Sequence, residues 1–519
     1  MRTASLLAGA FLSLAFAGSS LQAQENKPAA ADLSVTVYSS ADPAGFDPQQ
    51  FIAQQRMGHN PQMAWQVPGF GVIKEIRPIE FQQGRNTIRF IDVAQFIDPT
   101  TVSFTDVQAP AATSVLDQQF QFDLVNPQKL LEKYIDHEIT VLETQGDQTE
   151  RITGKLLSAT QGQLVLQTGE AGGGGVRITN SMVVELPKLP GGLITRPTLV
   201  WQVQTNQAGQ RPVRTTYQTS GITWKADYNL TLNADDTQAD LGAWVTLLNV
   251  SGASYPNAQL KLIAGDVQRI QPPRPMPMMM ARQRVATAEM AMDAVGFEEK
   301  SFFEYHLYTL PRRADIVQNA TQQITLFPTA REVKVQKVLV YYGLPESAQW
   351  GFMPEPMMDR NLGNQSNKKV DVYIRFKNEQ ANKLGMPLPK GKVRVYKQDN
   401  ADGTLEFVGE DLIDHTARDE RVLIKLGQAF DVVGERTQTD YQINVNGKTL
   451  TESFRITLRN HKDQPATVIV KENMFRWLNW KITKSSAEYE KVDARTIHIP
   501  VEVPAHGEKV VEYTVQYSW

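Results

Sequence analysis

No cysteine occurs among the 519 residues. That absence excludes disulfides, a thiolate nucleophile, a thiolate metal site and the lipidated cysteine of a lipoprotein. The fold must be held by burial alone. Histidine is scarce: His59, His137, His306, His415, His461, His498 and His506 are the full set. None sits in a His-x-His or His-Glu-x-x-His pattern, so a zinc hydrolase has no local support. A Gly-x-Ser-x-Gly nucleophile elbow is also missing, which argues against a serine hydrolase of that type. No long block of one charge appears, and the whole chain carries a net charge of −3. Nothing there favours nucleic acid or an anionic membrane surface as partner.

Long apolar runs are missing too, except near the start. Residues 6–18 (LLAGAFLSLAFAG) form a continuous apolar stretch behind Arg2, followed by Leu21, Gln22 and Ala23. This reads as a secretory signal peptide, residues 1–23, cut after Ala23. The run is too short for a permanent membrane anchor. Cleavage removes one arginine and no acid, leaving a net charge of −4. The expectation is a bacterial periplasmic or secreted protein with no transmembrane segment in the mature chain.

A length of 519 residues exceeds what one hydrophobic core organises, so several domains are expected. Hydrophobic residues at 41% and charged residues at 21% suit a globular chain. Residues 33–38 (LSVTVY) alternate as a strand does. Prolines and glycines between 40 and 68 mark a loop insertion, with a short helix near 49–55. Strands resume at 71–76 and 86–90, a turn is expected at Asp98–Pro99, and another strand at 101–105. These make an N-terminal β domain, 24–125.

Residues 126–187 read as a small unit. Asn126 is placed to cap a helix with Pro127 at its first position. Short strands follow at 138–143, 151–157, 163–167 and 181–186, which suggests a five-stranded SH3-like barrel. The glycines at 172–175 resemble a phosphate loop only superficially. No Lys-Ser or Lys-Thr follows them, so they read as a hairpin.

The central domain, 188–345, carries longer strands. In 225–232, Ala226, Tyr228, Leu230 and Leu232 share one face, and Lys225, Asp227, Asn229 and Thr231 the other. Such alternation means one buried and one wet face. The run 241–250 is more uniformly apolar and reads as a central strand. Residues 271–300 are a flexible Pro/Met-rich insertion. Strands are then expected at 302–310, 323–327 and 333–342. Residues 346–519 alternate most regularly, for example at Val370, Val372, Ile374 and Phe376. Asp402–Gly403 and Asn446–Gly447 mark hairpins. The pattern predicts an all-β, multidomain chain: immunoglobulin-like β-sandwiches with a small inserted SH3-like barrel. An outer-membrane barrel, suggested by the terminal Trp519, fits less well because the loops are long.

Several stretches carry a family resemblance: GITWKADYNLTLN at 221–233, WVTLLNVSGASYPNAQLKLIAGDV at 244–267, EYHLYTLPR at 304–312 and NKLGMPLPKGKVRVY at 382–396. FVGEDLIDHTARDE at 407–420 and LGQAFDVVGER at 426–436 belong with them. Together they resemble the bacterial family known as domain of unknown function 4139, whose members carry a mucoidy-inhibitor-A-like label. The resemblance covers roughly 195–519. It implies no activity and no catalytic residues.

The motif residues have structural roles that suffice. Trp224, Tyr228 and Trp244 are expected in the core, with a sugar-binding platform as the functional alternative. Gly221, Gly252 and Gly265 suit turns or bulges, and Asn249, Ser251 and Asn257 suit loop bonding. His498 is expected to face solvent. His415, among Asp411, Asp414, Asp419 and Glu420, is the best candidate for a site, against a polar loop. Asp399, Asp402 and Glu406 resemble part of a calcium loop but fit a hairpin tip better. No catalytic, cofactor-binding or metal-ligating residue is assigned, and no cofactor is expected.

The reading that results is a non-enzymatic cell-envelope protein binding another protein or a polysaccharide. The alternative is a secreted hydrolase of polysaccharide or peptide that uses acidic residues in an interdomain groove. The methionines Met276, Met278, Met279, Met280, Met290 and Met292 allow a copper test, because thioethers bind Cu(I). The favoured alternative is a low-complexity linker, and no Cu(I) binding by the intact chain would end the copper idea. Tight binding lost on deletion of 271–294 would assign the tract to copper.

Overall fold

The computed structural model describes residues 32–38, 46–57, 67–145, 148–160, 162–169, 175–180, 183–188, 193–265, 267, 297–344, 355–363, 366–399 and 401–519. The expected signal peptide, glycines 172–174, His59 and the Met-rich tract lie outside these residues. The described chain is predominantly β, multidomain and built from several sheets. Its two α-helices, Pro48–Met57 and Pro127–Lys133, lie close to where the sequence predicts them. Asn126 accepts from Lys129 N–H at 2.9 Å, the capping bond expected of it. No helix among the described residues is long and apolar enough to cross a membrane.

One sheet takes strands from both sides of residues 126–187. Its order is Glu298–Phe302, Tyr305–Ile316, Tyr255–Ala264, Asp32–Tyr38, Phe70–Phe81, Gly209–Thr219 and Ile97–Asp106. Asp32–Tyr38 pairs antiparallel with Phe70–Phe81 and parallel with Tyr255–Ala264, in the register Val35↔Leu260. A three-stranded sheet (Gly84–Ile91, Thr198–Thr205, Thr113–Gln121) shares its core through Phe90 and Trp201. The five strands between Glu138 and Glu185 form a sheet with its own core of Leu131, Ile139, Val141, Leu156 and Leu166.

The largest sheet has thirteen strands. Its main path runs Leu405–Ile413, Gly391–Gln398, Ile222–Leu232, Gln238–Asn249, Ala320–Tyr342, Lys369–Lys377, Arg421–Asn444, Thr449–Asn460, Gly507–Ser518 and Trp480–Ser485. Two strands are unusually long. Ala320–Tyr342 pairs with Gln238–Asn249 through its first half, then with Lys369–Lys377 and Ala466–Asn473 through its second. Arg421–Asn444 pairs with Lys369–Lys377 and then with Thr449–Asn460. They join the central and C-terminal regions into one ladder.

Several expected boundaries move. The segments 323–327 and 333–342 are one strand, because three register shifts opposite Gln238–Asn249 and a left-handed Glu332 absorb Pro328 without breaking the ladder. The expected 302–310 strand is instead a hairpin, turning at a left-handed Phe303. The Asp98–Pro99 turn lies inside Ile97–Asp106, where the pairing passes from Asp98 to Ser103 while the partner strand advances only from Gln218 to Thr216, and Asp98 Oδ1 accepts from Thr100 N–H at 3.0 Å. Of the expected 181–186 strand, residues 181 and 182 lie outside the described residues and Val184–Glu185 is strand, while Gly175–Thr179 forms a strand that was not expected. The hairpins at Asp402–Gly403 and Asn446–Gly447 are present.

Charged pairs are buried inside these cores. Arg77 meets Glu75 at 2.6 Å under Phe90, and Arg211 meets Asp106 at 2.8 Å over Phe81. In the C-terminal region, Arg436 meets Glu472 at 3.0 Å and Arg476 meets Glu452 at 2.8 Å. Their spare donors hold the segment 355–363. Arg476 donates to the carbonyls of Met357, Asp359 and Leu362, and Arg436 to that of Gly363. Removing Arg476 leaves Glu452 buried with only the Gln438 hydrogen bond and the more distant Arg436 charge to offset it, and breaking such a pair costs about 3–5 kcal/mol. Arg476→Ala is therefore expected to lower the urea midpoint sharply. A loss under about 1 kcal/mol would mean that the pair is not held as described.

Candidate functional site

Strand alternation puts one set of side chains from Ile222–Leu232 into the core and the other on the opposite face. Trp224 and Tyr228 are sealed, as expected; Trp224 N–H bonds Val37 O at 3.1 Å and Tyr228 O–H bonds Pro389 O at 2.7 Å. Trp244 departs from expectation. It is 38% exposed, because in register Trp244 stands opposite Asp227, not opposite the buried Tyr228. Its apolar neighbours Val245 and Leu247 point inward, while Trp244 shares the outer face with Thr246.

Pairing builds that face row by row. Thr325, Trp244, Asp227, Lys392 and Leu412 align across five strands. The next row holds Gly242, Asn229, Arg394 and Glu410, and the one after it Asp240, Thr231 and Tyr396, with Phe407 beside Tyr396. Strands lie ~4.8 Å apart, so Trp244 and Leu412 stand ~14 Å apart. Gly242 leaves a floor without a side chain beside the indole. A Cβ there would meet nothing closer than Thr329 Oγ1 at 3.7 Å.

The middle of the face is charged. Asp227 accepts from Thr246 Oγ1 at 2.7 Å and faces Lys225 Nζ and Arg394 Nη1, each at 3.6 Å. Arg394 also lies 3.6 Å from Glu410, which Lys392 approaches at 3.3 Å. Tyr396 and Phe407 meet edge to face at 5.8 Å and close the far side. At the near end, Phe51 of the helix Pro48–Met57 packs with Leu248 and Val250, capping the face beyond Thr246. Asp236 pins the sheet's other end. Burial alone would raise its carboxyl, but hydrogen bonds from Lys337 and Lys397 outweigh this and hold it below the usual carboxylate range.

The arrangement offers an aromatic plate, a flat floor and charged hydrogen-bonding groups. It suits stacking and polar recognition more than acid–base chemistry. Glu452 has the raised pKa that a general acid needs, pushed up by burial against the opposing pull of Arg476, yet it is sealed in the core away from substrate. Among the described residues, no group of three or more His, Asp or Glu is placed to hold a metal ion.

The other sequence candidates disperse. His415 is exposed and takes Lys390 N–H at 3.2 Å on its Nδ1. Asp411 accepts from Lys425 N–H, while Asp419 and Glu420 bond Asn378 through the backbone, so the polar-loop reading fits. Asp399 and Asp402 cap their own turn, and Thr404 bonds hold Asp402 below the usual range. His498 does not face solvent freely. It is half-buried, its Nε2 has no hydrogen bond among the described residues, and burial followed by Lys471 lowers its pKa. Sequence reading put Lys225 and Asp227 on a wet face but missed Lys392, Arg394 and Glu410. Only the parallel pairing of Ile222–Leu232 with Gly391–Gln398 brings them in, and no local pattern announces it.

The family described as domain of unknown function DUF4139 matches residues 213–519, a span that holds every row residue of this face. No curated protein matches the chain.

The two tryptophans should separate in a stability test. Trp224→Ala is expected to cost about 3–5 kcal/mol. Trp244→Ala, on the outer face, is expected to cost about 1 kcal/mol or less. Urea melts of both variants check this, and equal losses would return Trp244 to the core.

Proposed function

The chain belongs to the family of domain of unknown function DUF4139, and on that footing we propose that it is a non-enzymatic cell-envelope protein that binds a polysaccharide on the Trp244 face. The observation that carries the reading is the exposed indole in register with Asp227 and Lys392, beside the bare floor at Gly242. A sugar ring presents an apolar face to an aromatic plate and hydroxyls to flanking charges. Burying such a face on the indole contributes ~25 cal/mol per Å². Lys225, Asp227, Arg394 and Glu410 supply the donors and acceptors that select among rings. The expected signal peptide places this work in the periplasm or outside the cell.

The same proposal includes the finer architecture. The segments 24–125 and 188–345 are taken as one folding unit through their shared seven-stranded sheet, with 126–187 inserted as an SH3-like barrel. Residues 346–519 follow as an immunoglobulin-like sandwich. The separate core around Ile139 and the alternation in 369–377, 449–460 and 507–518 support this division.

A hydrolytic reading keeps one observation, the approach of Asp227 and Glu410 to the same Arg394. One experiment separates the two. The chain without residues 1–23 is titrated with purified envelope polysaccharides while Trp fluorescence and reducing-end release are followed. The expected result is saturable quenching without turnover, weakened at least tenfold by Trp244→Ala. Turnover abolished by Asp227→Asn would install the hydrolase instead. Absence of binding to every polysaccharide tested, or equal binding by Trp244→Ala, would end the proposal for this face.

A further inference from the structure

A second site lies in the C-terminal region, where two strands end early. Trp480–Ser485 pairs with the second half of Gly507–Ser518 and stops at Ser486. Ser486 N–H donates to Glu512 O, Glu512 N–H donates to Ser486 Oγ, both at 2.8 Å, and Ser518 N–H donates to Asn479 O at 3.0 Å. These bonds aim the backbone of the even-numbered residues toward that neighbour. Val510 and Glu508 continue the alternation, so their N–H and C=O groups point the same way, past the point where the neighbouring strand has ended.

The facing wall is Thr496–Val503. Its short partner Glu490–Lys491 pairs only with His498 and Ile497, so among the described residues no strand pairs with 499–503 on that side. Pro500 has no N–H and so blunts this wall as a template. Between the walls lies a groove of 590 Å³, lined among others by Ala487, Pro500, Val501, Pro504, Lys509 and Val510. That volume falls within the range of ligand pockets. Val501 and Val511 are buried in its floor, whereas Val510 is open to solvent. The backbones of Lys509 and Glu502 pair with Leu458 and Thr467, but among the described residues neither side chain has a hydrogen-bond or ion-pair partner.

The geometry points to a peptide-binding groove: an extended polypeptide segment adds as a strand to the free edge at Glu508–Val510, directing an apolar side chain toward Val501 and Val511 and an acidic one toward Lys509. An open strand edge supplies main-chain hydrogen bonds, and the groove beside it selects alternate side chains. Only one wall offers a complete edge, which fixes where the added strand pairs. The slot from Gly507 to Val510 is ~10 Å long and accommodates three or four residues. This site is separate from the Trp244 face and stands or falls without it.

The test uses the chain without residues 1–23 and a displayed library of random decapeptides. Enriched peptides are resynthesised with a fluorophore and titrated by anisotropy. The expected peptides combine apolar and acidic residues. Val510→Pro removes the edge N–H, which the pairing with Thr449–Asn460 does not use, and is expected to weaken binding at least tenfold. Lys509→Glu is expected to weaken acidic peptides selectively, and Trp244→Ala to change nothing. In the unaltered chain, bound peptide should slow amide exchange at Glu508 and Val510, a readout independent of whether Val510→Pro folds. No enrichment over a Val510→Pro control, equal affinity of that variant, or unchanged exchange at both amides would overturn the inference.

Discussion

The hydrogen-bond ladder along Ala320–Tyr342 is the constraint on which the rest depends. A strand exposes one donor and one acceptor per residue, and each must be satisfied where it is buried. This strand meets that demand with different neighbours along its length: Gln238–Asn249 first, then Lys369–Lys377 and Ala466–Asn473. Shifting its register by one residue would turn Leu326 and Val333 out of one core and Tyr341 out of another. The placement of Trp244 opposite Thr325 follows from that register, as does the alignment of the rows beyond it.

Buried guanidiniums supply a second kind of order. Each of Arg77, Arg211 and Arg436 sits on an aromatic ring and against a carboxylate. Such pairs add little net stability over apolar packing of the same shape, but misplacing one partner is costly. In a chain without cysteine they do locally what a cross-link does by covalency: they specify one arrangement. Arg436 and Arg476 extend the principle to an irregular segment by holding the carbonyls of 357–363 to the strands.

Much of this was legible in the sequence because strand periodicity is a local property. The alternation at Val370–Phe376 and at Val511–Tyr517 follows directly from a half-buried ladder, and Asn126–Pro127 announces its helix through capping chemistry. What was not legible depends on partners distant in the chain. Pro328 reads locally as a break, and only extra residues bulged out of its own strand, opposite Gln238–Asn249, let the ladder pass it. Trp244 lies in an apolar run, so its outward face emerges only from pairing with Asp227. Lys392, Arg394 and Glu410 join Asp227 through a parallel pairing that spans more than 160 residues of sequence. His498 looked exposed by alternation, yet a two-residue strand, Glu490–Lys491, lies alongside it.

A strand of 23 residues rises ~3.3 Å per residue and so runs ~75 Å. It carries the Trp244 face on sheet neighbours of its first half and the C-terminal groove in the region joined to its second. A flexible linker would let two such sites meet ligands at any separation. A hydrogen-bonded strand, even one bent by bulges, does not: if both proposed sites were occupied together, only ligands presented at the matching distance and angle would gain from the second contact.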